Sequence, residues 1–135
     1  MENREAIRDY FIRQKGVVCV YLFGSAGAGK THKASDVDIA VLFGQDMPQQ
    51  ERSQRGLLIM DELSRILDKD IDVVVLNNAN SFLKFQVIKN GLRVYEDKER
   101  RSRAFEARAI VEYLDFLPIR SRLEKALINN IKEGA

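Results

Sequence analysis

Three aspartates and a glycine–serine pair carry the chemistry that this sequence offers. Gly24-Ser25 is followed, after ten residues, by Asp36-Val37-Asp38. Side chains at i and i+2 of a strand share a face, about 6.5–7 Å apart along the backbone. Asp36 and Asp38 are thus placed to converge on one divalent cation, which prefers carboxylate oxygens. Glycine at position 24 lets the main chain approach a phosphate closely. The Ser25 hydroxyl and nearby N–H groups can donate to that phosphate, and Lys30 and Ser35 are further candidates on the triphosphate side. A third carboxylate is expected on a neighbouring strand. Asp72 in Asp70-Ile-Asp-Val-Val-Val75 is the candidate, with Asp70 on the same face by parity. Three carboxylates of this kind fit two-metal nucleotidyl transfer, the ions about 3.5–4 Å apart. Asp72, nearest the nucleophile, is the candidate general base.

The same glycines spell a second motif. Gly24-Ser-Ala-Gly-Ala-Gly-Lys30-Thr31 matches the P-loop pattern letter for letter. A P-loop needs a helix after it, whose N-terminal N–H groups hold the phosphates. Only His32, Lys33, Ala34 and Ser35 separate Thr31 from the next strand-like segment. A crossover with its helix takes at least about 10–12 residues, so the P-loop reading lacks its context.

The elements that must position these residues follow from hydrophobic period. Residues 2–14 carry Ala6, Ile7, Tyr10 and Phe11 at helical spacing, with Gly16 closing the helix. Val17 to Phe23 reads as a buried strand. Residues 24–35 form a loop. From Asp36 to Phe43, Val37, Ile39, Val41 and Phe43 face one way and the aspartates the other. An amphipathic helix over 49–68, a strand over 70–76, a short helix over 81–89 and an edge strand over 92–95 come next. Two helices, about 99–117 and 119–132, meet at Pro118, which breaks or bends them. The fold class is α/β (α+β): a small mixed sheet of about four strands flanked by helices, with helices at the C-terminus. One domain over 1–135 is expected, with a helical extension from about residue 98.

Composition bounds the function. The net charge of +2 comes from 22 basic and 20 acidic side chains among 135 residues. That balance does not fit a dedicated nucleic-acid binder. No apolar run approaches the roughly 20 residues a membrane helix needs, and the N-terminus carries no signal-peptide pattern. Cys19 is the only cysteine, which excludes an internal disulfide and fits a reduced, cytoplasmic setting.

Gly24-Ser25, ten residues, then Asp36-Val37-Asp38 resembles the signature of the DNA polymerase β-like nucleotidyltransferase superfamily. Asp70 to Asn77, Phe82 to Glu96 and Glu112 to Pro118 resemble its minimal (MNT) branch, the MntA-type antitoxins of HEPN/MNT toxin–antitoxin systems. The resemblance covers about residues 17–120. It implies a nucleotidyltransferase-like fold and an ATP- and Mg²⁺-dependent transfer of AMP to a tyrosine of a HEPN-domain RNase toxin, which is thereby silenced. It implies that Gly24 and Ser25 bind the triphosphate and that Asp36, Asp38 and Asp72 bind Mg²⁺. Such relatives commonly carry an Ala-Arg-Gly step where this chain has Gly27-Ala28-Gly29. Lys30 is adjacent, but a lysine is a mobile point charge where arginine offers a rigid fork. The alternative is therefore a non-catalytic antitoxin that blocks the toxin by direct binding. Oligomeric state is open to either a homo- or a hetero-oligomer.

The remaining chemistry-bearing residues have plainer readings. His32 is alone and reads as a solvated loop residue. Cys19 reads as a small core hydrophobe. Lys98, Arg100, Arg101 and Arg103 read as a solvated helix face. Phe105, Ile110, Tyr113, Leu114 and Phe116 do not sort into one stripe, and their surplus apolar surface is suited to docking a partner.

Overall fold

The computed structural model describes residues 2–24 and 36–134. Its elements are α1 (Glu2–Ile12), β1 (Val17–Phe23), β2 (Val37–Phe43), α2 (Gln49–Leu67), β3 (Ile71–Val75), α3 (Ser81–Asn90), β4 (Leu92–Glu96) and α4 (Ser102–Gly134), with a 3₁₀ turn at Leu76–Asn78. One sheet has the order β3-β2-β1-β4. β1 pairs antiparallel with both β2 and β4, and β2 pairs parallel with β3. The antiparallel β1–β2 pair settles the glycine motif. A P-loop feeds a helix that returns to a parallel strand; here the next strand, β2, runs antiparallel beside β1.

The sheet is covered on both faces. On one, Val20, Ile39 and Val41 pack with Ile7 and Phe11 of α1 and Ile59 and Leu63 of α2. On the other, Cys19, Tyr21, Ala40 and Leu42 pack with Val87 of α3 and Phe105 of α4. β2 is consequently buried along nearly its whole length. Its second face is not a solvated aspartate face: Ala40 and Leu42 continue it into the core beyond Asp38. Close approach at the start of β4 needs Gly91, where a Cβ would lie 2.4 Å from the Val87 carbonyl oxygen and 3.1 Å from that of Leu22.

Two boundaries differ from the sequence pattern. α1 ends at Ile12, and Gly16 instead sits in the turn into β1 with φ +79°. The two expected C-terminal helices are a single 33-residue α4 that contains Pro118. Proline removes one hydrogen bond and crowds the carbonyl four residues back, here that of Leu114. Both Leu114 and Pro118 are exposed, so water can satisfy that carbonyl. On the inner side the helix is held past this point: Tyr113 stacks on Phe85 with ring centroids 4.1 Å apart, and the Arg120 guanidinium lies over Phe82. Among the described residues no helix is long and apolar enough to cross a membrane.

Candidate active site

Three strand ends meet where the sequence places its aspartates. Phe23, the last residue of β1, is opposite Asp38, so Gly24 emerges beside the start of β2. That start is tied to β3 through Asp70. The Asp36 and Val37 N–H groups donate to the Asp70 carbonyl at 2.8 and 3.2 Å, and the Asp70 N–H donates to Asp36 Oδ2 at 3.0 Å. The Asp36 carboxylate thus locks the entry to both strands while its Oδ1 makes no hydrogen bond to another described residue.

One step further, Asp38 and Asp72 are partners in register on the parallel pair. Adjacent strands lie about 4.8 Å apart and partners share a face. Asp38 is 7% exposed, at the edge of the α3/α4-side core, while Asp72 is open to solvent. Like charges directly opposite each other on neighbouring strands destabilise a sheet. A divalent cation removes that cost, and hard carboxylate oxygens are the ligands that magnesium prefers. The donor set fits such an ion in its chemistry. Even so, no group of three or more His, Cys, Asp or Glu side chains among the described residues is gathered closely enough to hold a metal. Asp38 and Asp72 stand side by side, and Asp36 is turned onto β3.

Ser25, Lys30 and Ser35 lie outside the described residues, as do Ala28 and His32. Cys19 is fully buried, and burial pushes its thiol up to about 12. It is inert packing, as its apolar run implies. The basic cluster departs from the solvated-face reading at Arg101, whose Nε donates to the buried Asp97 at 2.6 Å. The i, i+4 spacing of Asp97 and Arg101 was the available signal. Of the five apolar α4 residues, Phe105 is core, Tyr113 and Phe116 are half-buried, and Ile110 and Leu114 are exposed.

Sequence pattern missed two groups that hold this frame. Asn77 reads as a turn residue, yet its side chain donates to the Phe43 carbonyl and accepts from the Phe43 N–H, both at 2.9 Å, so it clamps the far end of β2. Glu106 on α4 accepts from Tyr21 at 2.5 Å and from Arg93 at 2.9 Å, joining α4 to β1 and β4. Neither partner set is local in sequence, so no motif marks them.

Comparison with known proteins agrees with this fold. The sequence model of the family described as "Polymerase beta, Nucleotidyltransferase" matches residues 5–100. A protein adenylyltransferase, MntA of Shewanella oneidensis, is 36% identical over 76 residues. That match covers 56% of this chain and 52% of the relative, about half its length. MntA of Aphanizomenon flos-aquae is 26% identical over 117 residues, 82% of this chain and 75% of that protein. Among solved structures, a toxin–antitoxin with AMP-PNP superposes with a TM-score of 0.69 at 25% identity, over 95% of this chain and 99% of the other. A tri-AMPylated Shewanella oneidensis HEPN toxin in complex with MNT antitoxin gives 0.69 at 23% identity, over 94% and 97%, a likeness of fold.

Proposed function

Because this chain belongs to the polymerase β nucleotidyltransferase family, we propose that it is a protein adenylyltransferase: an antitoxin that moves AMP from ATP to a tyrosine of a partner HEPN-domain RNase toxin and so neutralises it. The observation that carries the reading is the in-register pair Asp38 and Asp72, two carboxylates on one face beside the end of β1. The relatives named adenylyltransferases and the neighbour solved with an ATP analogue support adenylyl transfer in particular. The reading puts the protein in the cytoplasm, where it would meet ATP.

Each residue has a task in this transfer. Gly24 gives the triphosphate close access to the main chain, and Ser25 and Lys30 supply donors to it. Asp38, carried by β2, and Asp36, just before it, form the fixed part of the carboxylate set. Asp72, open to solvent, takes the proton of the acceptor hydroxyl. The acceptor oxygen then bonds to the α-phosphorus of ATP, the bond from that phosphorus to the bridging oxygen breaks, and pyrophosphate leaves with the electron pair. Magnesium, when bound by these carboxylates, neutralises the triphosphate and lowers the pKa of the attacking hydroxyl.

A second reading, direct blocking without transfer, is favoured by α4. The face that packs onto the domain through Phe105 and Ala109 continues as Leu123, Leu127 and Ile131, all more than half exposed. Such a row suits docking onto a partner helix. One experiment separates the two. Labelled ATP and Mg²⁺ are added to the protein and a candidate HEPN-domain toxin. Transfer of label, abolished by Asp36→Ala/Asp38→Ala together with neutralisation, supports the enzyme. No label, with the double variant neutralising as well as wild type, refutes it in favour of blocking.

A further inference from the structure

At the opposite end of β2, five residues or about 16 Å along the strand from Asp38, lies a cavity of about 770 Å³. It opens between the Phe43–Asp46 turn, the first turn of α2 and the N-terminal half of α4. Its lining is cationic. Arg52, Lys84, Arg101 and Arg108 face it, against the carboxylates of Asp46 and Glu112. Arg101 is already engaged by Asp97 at 2.6 Å. Asp46 is adjacent to Arg101 as well: its Oδ1 is 2.9 Å, and Arg101 Nη1 3.7 Å, from where a Cβ on Gly44 would sit. That leaves Arg52, Lys84 and Arg108 opposite the single carboxylate of Glu112, and among the described residues none of the three forms an ion pair.

The charge is not merely superficial. Arg52 Nε is buried and has no hydrogen-bond acceptor among the described residues. An unsatisfied buried donor on a cation is costlier than one on a neutral group, and an anion in the cavity would offset the unpaired charge of that guanidinium. α2 and α4 both begin beside the cavity, and their N-terminal partial charges add to the same positive field. The lining also has an apolar part, formed by Val18, Leu42 and Phe105. The volume lies within the roughly 300–1,000 Å³ of small-molecule sites, far more than a bare phosphate fills.

We propose that this cavity is a second, metal-independent binding site for a phosphorylated small molecule of mononucleotide size. Its cations hold the phosphate and its apolar lining takes the uncharged part. The proposal does not rest on the transfer reading, since no carboxylate of the first site contributes.

The test is calorimetric titration of the full chain carrying Asp36→Ala/Asp38→Ala, in EDTA, with AMP, adenosine and inorganic phosphate as separate probes. The expected result is saturable AMP binding, with adenosine and phosphate each at least tenfold weaker. Arg108→Ala and Lys84→Ala, neither in the buried core, are each expected to weaken AMP at least fivefold with the melting temperature unchanged. Absence of AMP binding at millimolar concentration overturns the proposal. So does phosphate binding as tightly as AMP, or AMP affinity that neither substitution changes.

Discussion

The two ends of β2 are chemical opposites. At the Asp38 end Asp38 and Asp72 stand side by side at the strand starts, and the Asp36 carboxylate is turned onto β3. At the Phe43 end cations outnumber carboxylates, and the backbone is clamped by Asn77. Between them lie Ile39 to Leu42, all buried. A charged site at each end of a dry strand is a simple way for one small sheet to hold two anionic ligands apart. About 16 Å of separation also exceeds the Debye length of about 8 Å at physiological ionic strength. The carboxylate end needs a metal before it can attract a triphosphate; the cationic end needs none.

The largest effect expected is at the carboxylate end. Asp36→Ala/Asp38→Ala removes two of the three proposed metal ligands, and adenylyl transfer to the toxin should fall by at least about 10³-fold, since metal charge stabilisation is worth several kcal/mol and each 1.36 kcal/mol is tenfold. The double variant should melt no lower than wild type by more than a few degrees, because it also removes the like-charge contact with Asp72. A large loss of stability without specific loss of transfer would mean that these aspartates are structural.

Asp72→Asn comes next. It keeps the shape and the strand register but removes the base. Loss of general base catalysis typically costs about 10²–10⁴-fold, so kcat should fall by about that factor with KM for ATP nearly unchanged. Single-turnover transfer of labelled AMP reads this directly. An equal rise in KM would reassign Asp72 to binding the triphosphate.

How much of this contrast was legible in the sequence follows from where each end keeps its residues. Asp38 and Asp72 both follow a strand-start pattern, and their in-register pairing fits it. Parity does not carry to Asp36, which precedes β2 and turns its carboxylate onto the Asp70 N–H. The cationic end draws Arg52 from α2, Lys84 from α3 and Arg108 from α4. These positions are 32 and 24 residues apart, and no local period connects them. Pro118 misled for a related reason. Its local rule is to end a helix, and the packing of Tyr113 on Phe85, a tertiary contact, overrides that rule. Gly16 serves the turn into β1 and not the end of α1, because glycine marks both helix ends and turns and spacing does not distinguish them.

The clamp at the cationic end should be a matter of stability. Asn77→Ala removes both hydrogen bonds to Phe43 and leaves a backbone N–H and a carbonyl at the strand end without partners. At about 1 kcal/mol for each bond, the expected loss is about 2–3 kcal/mol by urea denaturation. Transfer should decline only as the folded fraction declines. A change in kcat at temperatures well below melting would show that the two ends communicate along β2.

The smallest effect at neutral pH, and the one that probes the dry middle, involves Cys19 and Tyr21. Both are fully buried on β1, and the Tyr21 hydroxyl lies 3.8 Å from the Cys19 sulfur. Burial pushes the thiol up to about 12 and pushes the Tyr21 phenol well above its ordinary value, with Cys19 and Glu106 adding to the second shift. A raised folded pKa means that the native state favours the protonated form. The contribution is therefore complete below the unfolded value and is lost as pH rises towards the folded one. For Cys19 that window runs from about pH 9 to about 12, and within it stability should fall by about 1.4 kcal/mol per pH unit for each group that remains protonated only in the folded state. Cys19→Val should cost about 1 kcal/mol or less at pH 7, as a near volume-conserving change. Between pH 9 and 10, where the unfolded thiol has titrated and tyrosine has barely begun, it should flatten the decline. Melting temperatures of wild type and variant across pH 7–10.5 would show the two curves converging as pH rises. Parallel curves would mean that water already reaches Cys19. In that case the middle of the sheet would not insulate one end of β2 from the other.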